Sequence, residues 1–335
     1  MTGHEPCLVF DVGGTSVRAG IYDSTASRLS GEITRSTPSH WTFPDASADE
    51  IRQRLFDEMA SMARALSPDR EPAVLSVAFP GPIDPSGNVL HCPTVWGDRD
   101  PLPYPLREAL ERLFPRSSVH VLNDVTAAGY RYLEEGSLDL CIVTVSSGIG
   151  HKVFIEGRPA LGPMGRGGEI GHLRVDPSPS APLCDCGGRG HLAAVASGRG
   201  VLSRALREAA SDKADFNRSG LWRRLGGDAS ALDNRMLVEA FHAGDRWVSA
   251  LIRDAARHLG RIIAALHLAV GTERFVIVGG FALALGERYR EELARAAADS
   301  AWDRGQDWDR SITLGAPEDA AGLIGAGRYA ISRVS

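Results

Sequence analysis

Two cysteines one residue apart, Cys184 and Cys186, lead through a glycine-rich turn to His191 in the stretch CDCGGRGH, and this combination has the make-up of a metal site. Such a set serves either as an open catalytic centre or as a closed structural staple. Shortly before it, GGEIGH places Glu169 and His172 three residues apart. A carboxylate and an imidazole together accept from and donate to adjacent hydroxyls, which is what polyol recognition requires. Three glycine turns each follow an apolar strand: DVGGT with Asp11, Gly13, Gly14 and Thr15; VSSGIG with Ser146, Ser147 and Gly148; and VIVGGF with Gly279 and Gly280. Small residues there let backbone N–H groups approach phosphate oxygens, while the Asp11 carboxylate can face a hydrated Mg²⁺. The Gly-Lys-Ser/Thr of a Walker loop is missing. The first turn alone reads equally well as an ordinary Gly-Gly hairpin, but the three together describe a nucleotide cleft. Asn123 and Asp124 in LNDVTAAG stand where a strand gives way to a helix, a position that also suits a plain helix cap.

The elements that must position these residues follow from periodicity. CLVFDVGGTSVRAGIYD reads as a β-hairpin, EIRQRLFDEMASMARAL as a helix, and AVLSVAFPGPID as a strand closed by a Pro-Gly turn. LREALERLF and VHVLND form a second helix–strand pair, and LDLCIVTVSSGIGHKVFIEG repeats the opening hairpin design. The repetition predicts two lobes of related construction. A Pro-rich passage, VDPSPSAPLCDCGGRGH, interrupts the second lobe. Helices run on to about residue 270, with SDKADFNRSGLWRRLGGDASALDN read as helices joined by a mobile surface connection, before the strand RFVIVGG and a closing helix, DAAGLIGAGRYAIS.

Composition bounds the partners. The 335 residues, 43% hydrophobic and 24% charged, suit a globular chain of two domains. A net charge of −5 gives no basic footprint for nucleic acid and favours a small-molecule partner. The opening MTGHEPCLVFDVGG has no signal-peptide pattern and no apolar run is long enough for a membrane span, so a cytoplasmic location is expected. Five cysteines with Cys7, Cys92 and Cys141 scattered argue against a disulfide framework.

Taken in order, DVGGT, FPGPID, LNDVTAAG, SSGIG, GGEIGH, CDCGGRGH, ASGRG, IVGG and DAAGLIGA resemble the sugar kinases of the ROK family, within the larger superfamily of actin, hexokinase and Hsp70. The resemblance spans nearly the whole chain. It implies an α/β, two-lobed actin-like ATPase (ribonuclease H-like) fold with a cleft between lobes. A small N-terminal lobe is expected over 1–122, joined by a closing helix at about 316–335, and a large lobe carrying the metal loop over 123–315. It implies ATP and Mg²⁺ as cofactors, held by Asp11, Gly13, Gly14, Thr15, Ser147, Gly148, Gly279 and Gly280. Asp124 would be the general base that takes the proton of an attacking hydroxyl. Asn123, Glu169, His172, Gly81 and Thr94 would contact the sugar. The resemblance also gives His172, Cys184, Cys186 and His191 as ligands of a structural Zn²⁺, a closed staple that orients His172. The family commonly has a third cysteine where His191 stands.

Two departures bear on the substrate. The family motif continues to a glutamate that reads the 1- and 2-hydroxyl region, where this chain has Ala193, and its Pro-Asn-Leu before a tryptophan is replaced by CPTVWG, with Thr94 in place of asparagine. A lost hydrogen-bond partner costs discrimination on the order of 1–3 kcal/mol. The expected reaction is therefore phosphorylation of the primary hydroxyl of an aminosugar such as kanosamine or of a seven-carbon cyclitol in a specialised biosynthetic pathway, with an ordinary glucokinase as the alternative. A sugar-sensing ROK regulator is disfavoured because the first glycine turn begins at Asp11. The family habit suggests a homodimer.

Overall fold

The computed structural model describes residues 6–97, 102–134, 137–211, 214–316 and 320–334. It divides into two compact units, one formed by Met1–Leu138, Phe154–Gly167 and Glu318–Ser335, the other by Asp139–Val153 and Gly168–Pro317.

The first unit is built on a five-stranded sheet of β1 (Cys7–Val12), β2 (Ser16–Asp23), β3 (Arg28–Ser36), β4 (Val74–Phe79) and β5 (Ser118–Asn123) in the order β3-β2-β1-β4-β5. β1, β2 and β3 pair antiparallel; β1, β4 and β5 pair parallel. Every residue of β4 is buried, as a strand covered on both faces requires. On one face the helix Ala48–Leu66, opened by a Ser47/Glu50 capping box, buries Ile51, Leu55, Met59 and Met62. On the other, Cys7 and Val9 meet Leu323, Ala326 and Ala330 of the closing helix Ala321–Val334. That helix lies close to the helix Asp124–Tyr132 because it carries glycines at the contact: a side chain on Gly325 would strike the Ala127 carbonyl, and one on Gly327 the ring of Tyr22. Residues 317–319 and 335 of the expected closing segment lie outside the described residues.

The second unit repeats the plan with β6 (Leu140–Val145), β7 (Ile149–Ile155), β9 (Phe275–Val278) and β10 (Ile312–Leu314), in the order β10-β9-β6-β7; the two-residue β8 (Arg158–Pro159) pairs with the end of β7. Its core gathers around the helix Arg246–Val270, which buries Leu251, Ile252, Leu259 and Ile263. The units differ from the 1–122 and 123–315 division in two segments, 123–138 and 154–167. The helix Asp124–Tyr132 and the end of β7 belong to the first unit, where Phe154 stacks edge-on against Tyr130 at 5.2 Å.

The polar segment after residue 211 is more anchored than its composition suggests. Its short helices Ala214–Asn217 and Gly220–Arg224 place Phe216 and Leu221 in the core, and Ser219 and Asp233 cap the helices that follow them. Cys7, Cys92 and Cys141 are buried free thiols. Among the described residues no helix is long and apolar enough to cross a membrane.

Candidate active site

The junction of β5 with the helix Asp124–Tyr132 fixes the expected base. Asn123 is the helix N-cap, with φ −64° and ψ 145°, and its Oδ1 accepts from the Thr126 N–H at 3.1 Å. Its Nδ2 donates to the Gly81 carbonyl at 2.9 Å and to Asp124 Oδ1 at 2.7 Å, and the same Oδ1 accepts from the Val125 N–H at 2.8 Å. The cap and the chemical reading of Asn-Asp therefore coincide: the residue that ends the strand also sets the plane of the carboxylate. Both amide hydrogens of Asn123 thus go to protein acceptors, and its oxygen keeps a second lone pair beyond the Thr126 N–H. Gly81 stands at φ +92°, and a side chain there would strike the His91 carbonyl. Only glycine supports the backbone that offers Asn123 this carbonyl. Thr94 is exposed and borders the first glycine turn, its Cβ 3.6 Å from where a Gly14 side chain would begin. Beside it, burial pushes the Cys92 thiol up to about 12, leaving it neutral.

At the first glycine turn the Gly13 N–H donates to the Ser16 carbonyl at 2.9 Å, and Thr37 donates through Oγ1 to the Gly13 carbonyl at 2.8 Å. Neither Gly13 nor Gly14 has a positive φ. A side chain on Gly13 would stand 3.2 Å from the Ser16 carbonyl, tighter than ordinary contact, so close packing within the turn is met there without a left-handed backbone. Thr15, at the tip, is exposed. Asp11 is ion-paired with Arg18, its partner in the β1/β2 register, and is overlain by Gly322 of the closing helix.

The second unit holds the remaining turns. The Ser146 N–H donates to the Gly148 carbonyl at 2.9 Å, and the Gly198 N–H donates to the Ser146 carbonyl at 2.8 Å. Ser147 is exposed, and a side chain at Gly148 or Gly280 would meet no atom within 4 Å. Gly279 differs: at φ +97° a side chain would lie 2.6 Å from the Val145 carbonyl. The turns after β6 and β9 are thus packed together at one end of adjacent strands.

Glu169 precedes the 3₁₀ turn Ile170–His172. Its Oε1 accepts from Lys152 Nζ at 3.0 Å, and the same ammonium donates to the Gly168 carbonyl at 3.3 Å. The Lys152 side chain is 3% exposed and that of Glu169 38%. The neighbouring His151 is buried, and its Nδ1 accepts from the Ile170 N–H at 3.4 Å. Burial, and then the charge of Lys152, depress the His151 imidazole to about 4, so it is neutral. Sequence reasoning passed over this pair. The available signal was a His-Lys dipeptide inside an otherwise apolar strand of a chain that has only two lysines among its 37 basic residues.

The cysteine stretch folds onto His172. His172, Cys184, Cys186 and His191 place one nitrogen or sulfur each within 4.8 Å of all the others. His172 Nδ1 is 3.9 Å from Cys184 Sγ, and His191 Nδ1 is 3.1 Å from Cys186 Sγ. The Cys184 N–H donates to the Gly188 carbonyl at 2.7 Å, and a side chain on Gly188 would strike the His191 ring. Arg199 of the helix Gly198–Ala210 pairs with Asp185 and ties the loop down. Ala193, in the helix Leu192–Ala196, is 6% exposed and part of the apolar core.

Comparison with known proteins agrees with these features. The ROK family model matches residues 7–333. The chain is 36% identical to a C(7)-cyclitol 7-kinase of Streptomyces hygroscopicus subsp. jinggangensis, over 98% of this chain and 95% of that protein. It is 30% identical to a 2-epi-5-epi-valiolone 7-kinase of an Actinoplanes species, over 98% and 94%. The crystal structure of a ROK hexokinase from Thermus thermophilus superposes with a TM-score of 0.72 at 28% identity, covering 98% of this chain and 99% of that one. The motif order, the paired sheets and these matches have one reading: the chain belongs to the ROK family.

Proposed function

We propose that this protein transfers the γ-phosphoryl group of ATP to the primary hydroxyl of a seven-carbon cyclitol. The observation that carries the reading is the 36% identity to a C(7)-cyclitol 7-kinase along 98% of the chain. Ala193 and Thr94 support it, since one lacks the carboxylate and the other replaces the amide with which the family would meet glucose hydroxyls.

In this reading Asp124, with Oδ1 held by Asn123 and Val125, accepts the proton of the primary hydroxyl as that oxygen bonds to the γ-phosphorus and the bond to ADP breaks. The turns at Gly13–Thr15, Ser147–Gly148 and Gly279–Gly280 would face the phosphates, with Thr15 and Ser147 exposed and open space at Gly148 and Gly280. Mg²⁺ supplies charge neutralisation on the phosphates, and Asp11, steered by Arg18, is the carboxylate that would hold it through water. Glu169 and His172 bind ring hydroxyls.

The His172, Cys184, Cys186 and His191 set fits Zn²⁺ in its donor chemistry and spacing: bond lengths of about 2.0 and 2.3 Å require ligand–ligand edges of roughly 3.3–3.8 Å, and the two Sγ–Nδ1 distances of 3.9 and 3.1 Å bracket them. Bound there, the ion supplies a cross-link. His172 turns Nδ1 toward the cluster, which leaves Nε2–H to donate to a substrate hydroxyl. Homodimerisation, the family habit, and a role in specialised biosynthesis complete the reading; light scattering of the purified protein measures the first.

The test is incubation with ATP, Mg²⁺ and a panel of cyclitols, hexoses and aminosugars, with product identified by mass spectrometry and ³¹P NMR. The expected result is the highest kcat/KM on a seven-carbon cyclitol, phosphorylated at its primary carbon. Highest kcat/KM on glucose would instead favour the hexokinase reading that the Thermus thermophilus neighbour supports.

A further inference from the structure

We propose that Lys152 is a specificity-determining residue that neutralises Glu169, so that the substrate subsite at Glu169 takes an uncharged hydroxyl and rejects an ammonium group. The inference deepens the proposed function and rests on it, because it takes Glu169 to be a substrate contact.

An unpaired carboxylate at a sugar subsite attracts a substrate amine, which is protonated near neutral pH. Here the carboxylate is not alone. Lys152 reaches Glu169 Oε1 from the buried side at 3.0 Å, its own side chain 3% exposed, while Glu169 keeps its outer edge toward solvent. The pair carries no net charge, and a second ammonium docking on Glu169 would stand a few ångströms from the first, with little water between to screen it. A neutral hydroxyl donating to the same carboxylate meets no such opposition.

The lysine is accommodated by construction. Gly168 has φ +92°, and a side chain there would come within 2.5 Å of Lys152 Cδ and 2.6 Å of Nζ. Its carbonyl is the ammonium's second acceptor. The choice of cation also departs from the chain's habit, since lysine occurs only twice among 37 basic residues. The lysine supplies a compact point charge where the chain elsewhere uses the broad guanidinium fork.

A purely bracing role for Lys152 would lower turnover of charged and neutral rings alike, so the experiment compares matched pairs. For glucose against 2-amino-2-deoxyglucose and 3-amino-3-deoxyglucose, kcat/KM is measured from about pH 6 to about pH 9, across the titration of a substrate amine. The wild-type protein is expected to disfavour both amines by about tenfold or more at the acid end, with the gap narrowing as the amine loses its proton. Lys152→Met is expected to close that gap by about tenfold, chiefly in the KM of the aminosugars. A wild-type enzyme that handles protonated aminosugars as well as glucose overturns the proposal whatever the variant does, and so does a Lys152→Met protein with an unchanged ratio. Calorimetric binding of the same pairs separates the two readings. Loss of phosphoryl transfer to every ring would remove the kinase assignment, while the charge preference would still be read from binding.

Discussion

At the residue scale, the site is organised by groups that do two things at once. Asn123 caps a helix and holds Asp124, and its spacing directly before an aspartate was legible because an N-cap must stand where a strand ends and a helix starts. What could not be read was where the asparagine's own hydrogens go, since the Gly81 carbonyl comes from a loop 42 residues earlier. Asp124→Asn keeps the shape and removes the basicity, so turnover is expected to fall at least about a hundredfold with substrate binding retained; steady-state kinetics beside calorimetric binding check it. His151 gives a second prediction. Its imidazole titrates at about 4 in the folded chain against about 6.5 unfolded, so between those values only the unfolded state binds the proton. The stabilisation is complete above about pH 6.5 and is lost as pH falls toward about 4, by up to on the order of 3 kcal/mol. Urea unfolding between about pH 7.5 and about pH 4.5 should show a steeper loss for the wild-type protein than for His151→Gln; equal slopes would assign the acid sensitivity to other groups.

At the element scale, periodicity located the long helices because each exposes one face and buries the other, and the buried strands showed as short unbroken apolar runs. It failed where that contrast is weak. β3 has seven of nine residues exposed and carries no alternation to read, and the segment after residue 211 hides its anchors, Phe216 and Leu221, in a polar background. The glycines of the closing helix were visible in DAAGLIGAG, but not their purpose, which is to let that helix approach its neighbours. Gly325→Ala tests this by its sign. Helix propensity alone would make the change stabilising by about 1 kcal/mol. The methyl group would meet the Ala127 carbonyl and, at 3.1 Å, the Arg131 nitrogen, and overpacking of this kind costs about 1–3 kcal/mol. Backbone cannot rotate aside as a side chain can, so net destabilisation is expected, read as a lower urea midpoint at unchanged slope; a raised midpoint would mean the helices separate freely.

At the scale of the whole molecule, the ordered motifs identified the family, because the glycine turns and the Cys/His loop are short local signals. Unit boundaries are not local. β7 begins in one unit and ends in the other, where Phe154 packs against Tyr130, a contact no single stretch of sequence contains. Each unit has its own apolar core, and all four residues of the Cys/His cluster belong to the second. Removal of the proposed zinc should therefore act unevenly. Because a structural zinc site contributes its binding energy to folding, chelation or Cys184→Ser is expected to lower the unfolding temperature of the second unit more than that of the first and to split one calorimetric transition into two. Hydrogen exchange locates the effect: protection should fall in residues 172–201, where the loop meets the helix Gly198–Ala210 through the Asp185–Arg199 pair, and be kept in β1 and β2. Activity should fall in parallel, since His172 serves both the metal cluster and the proposed sugar contact. A zinc-free protein that melts in one unshifted transition and retains full turnover would strip the cluster of its structural role.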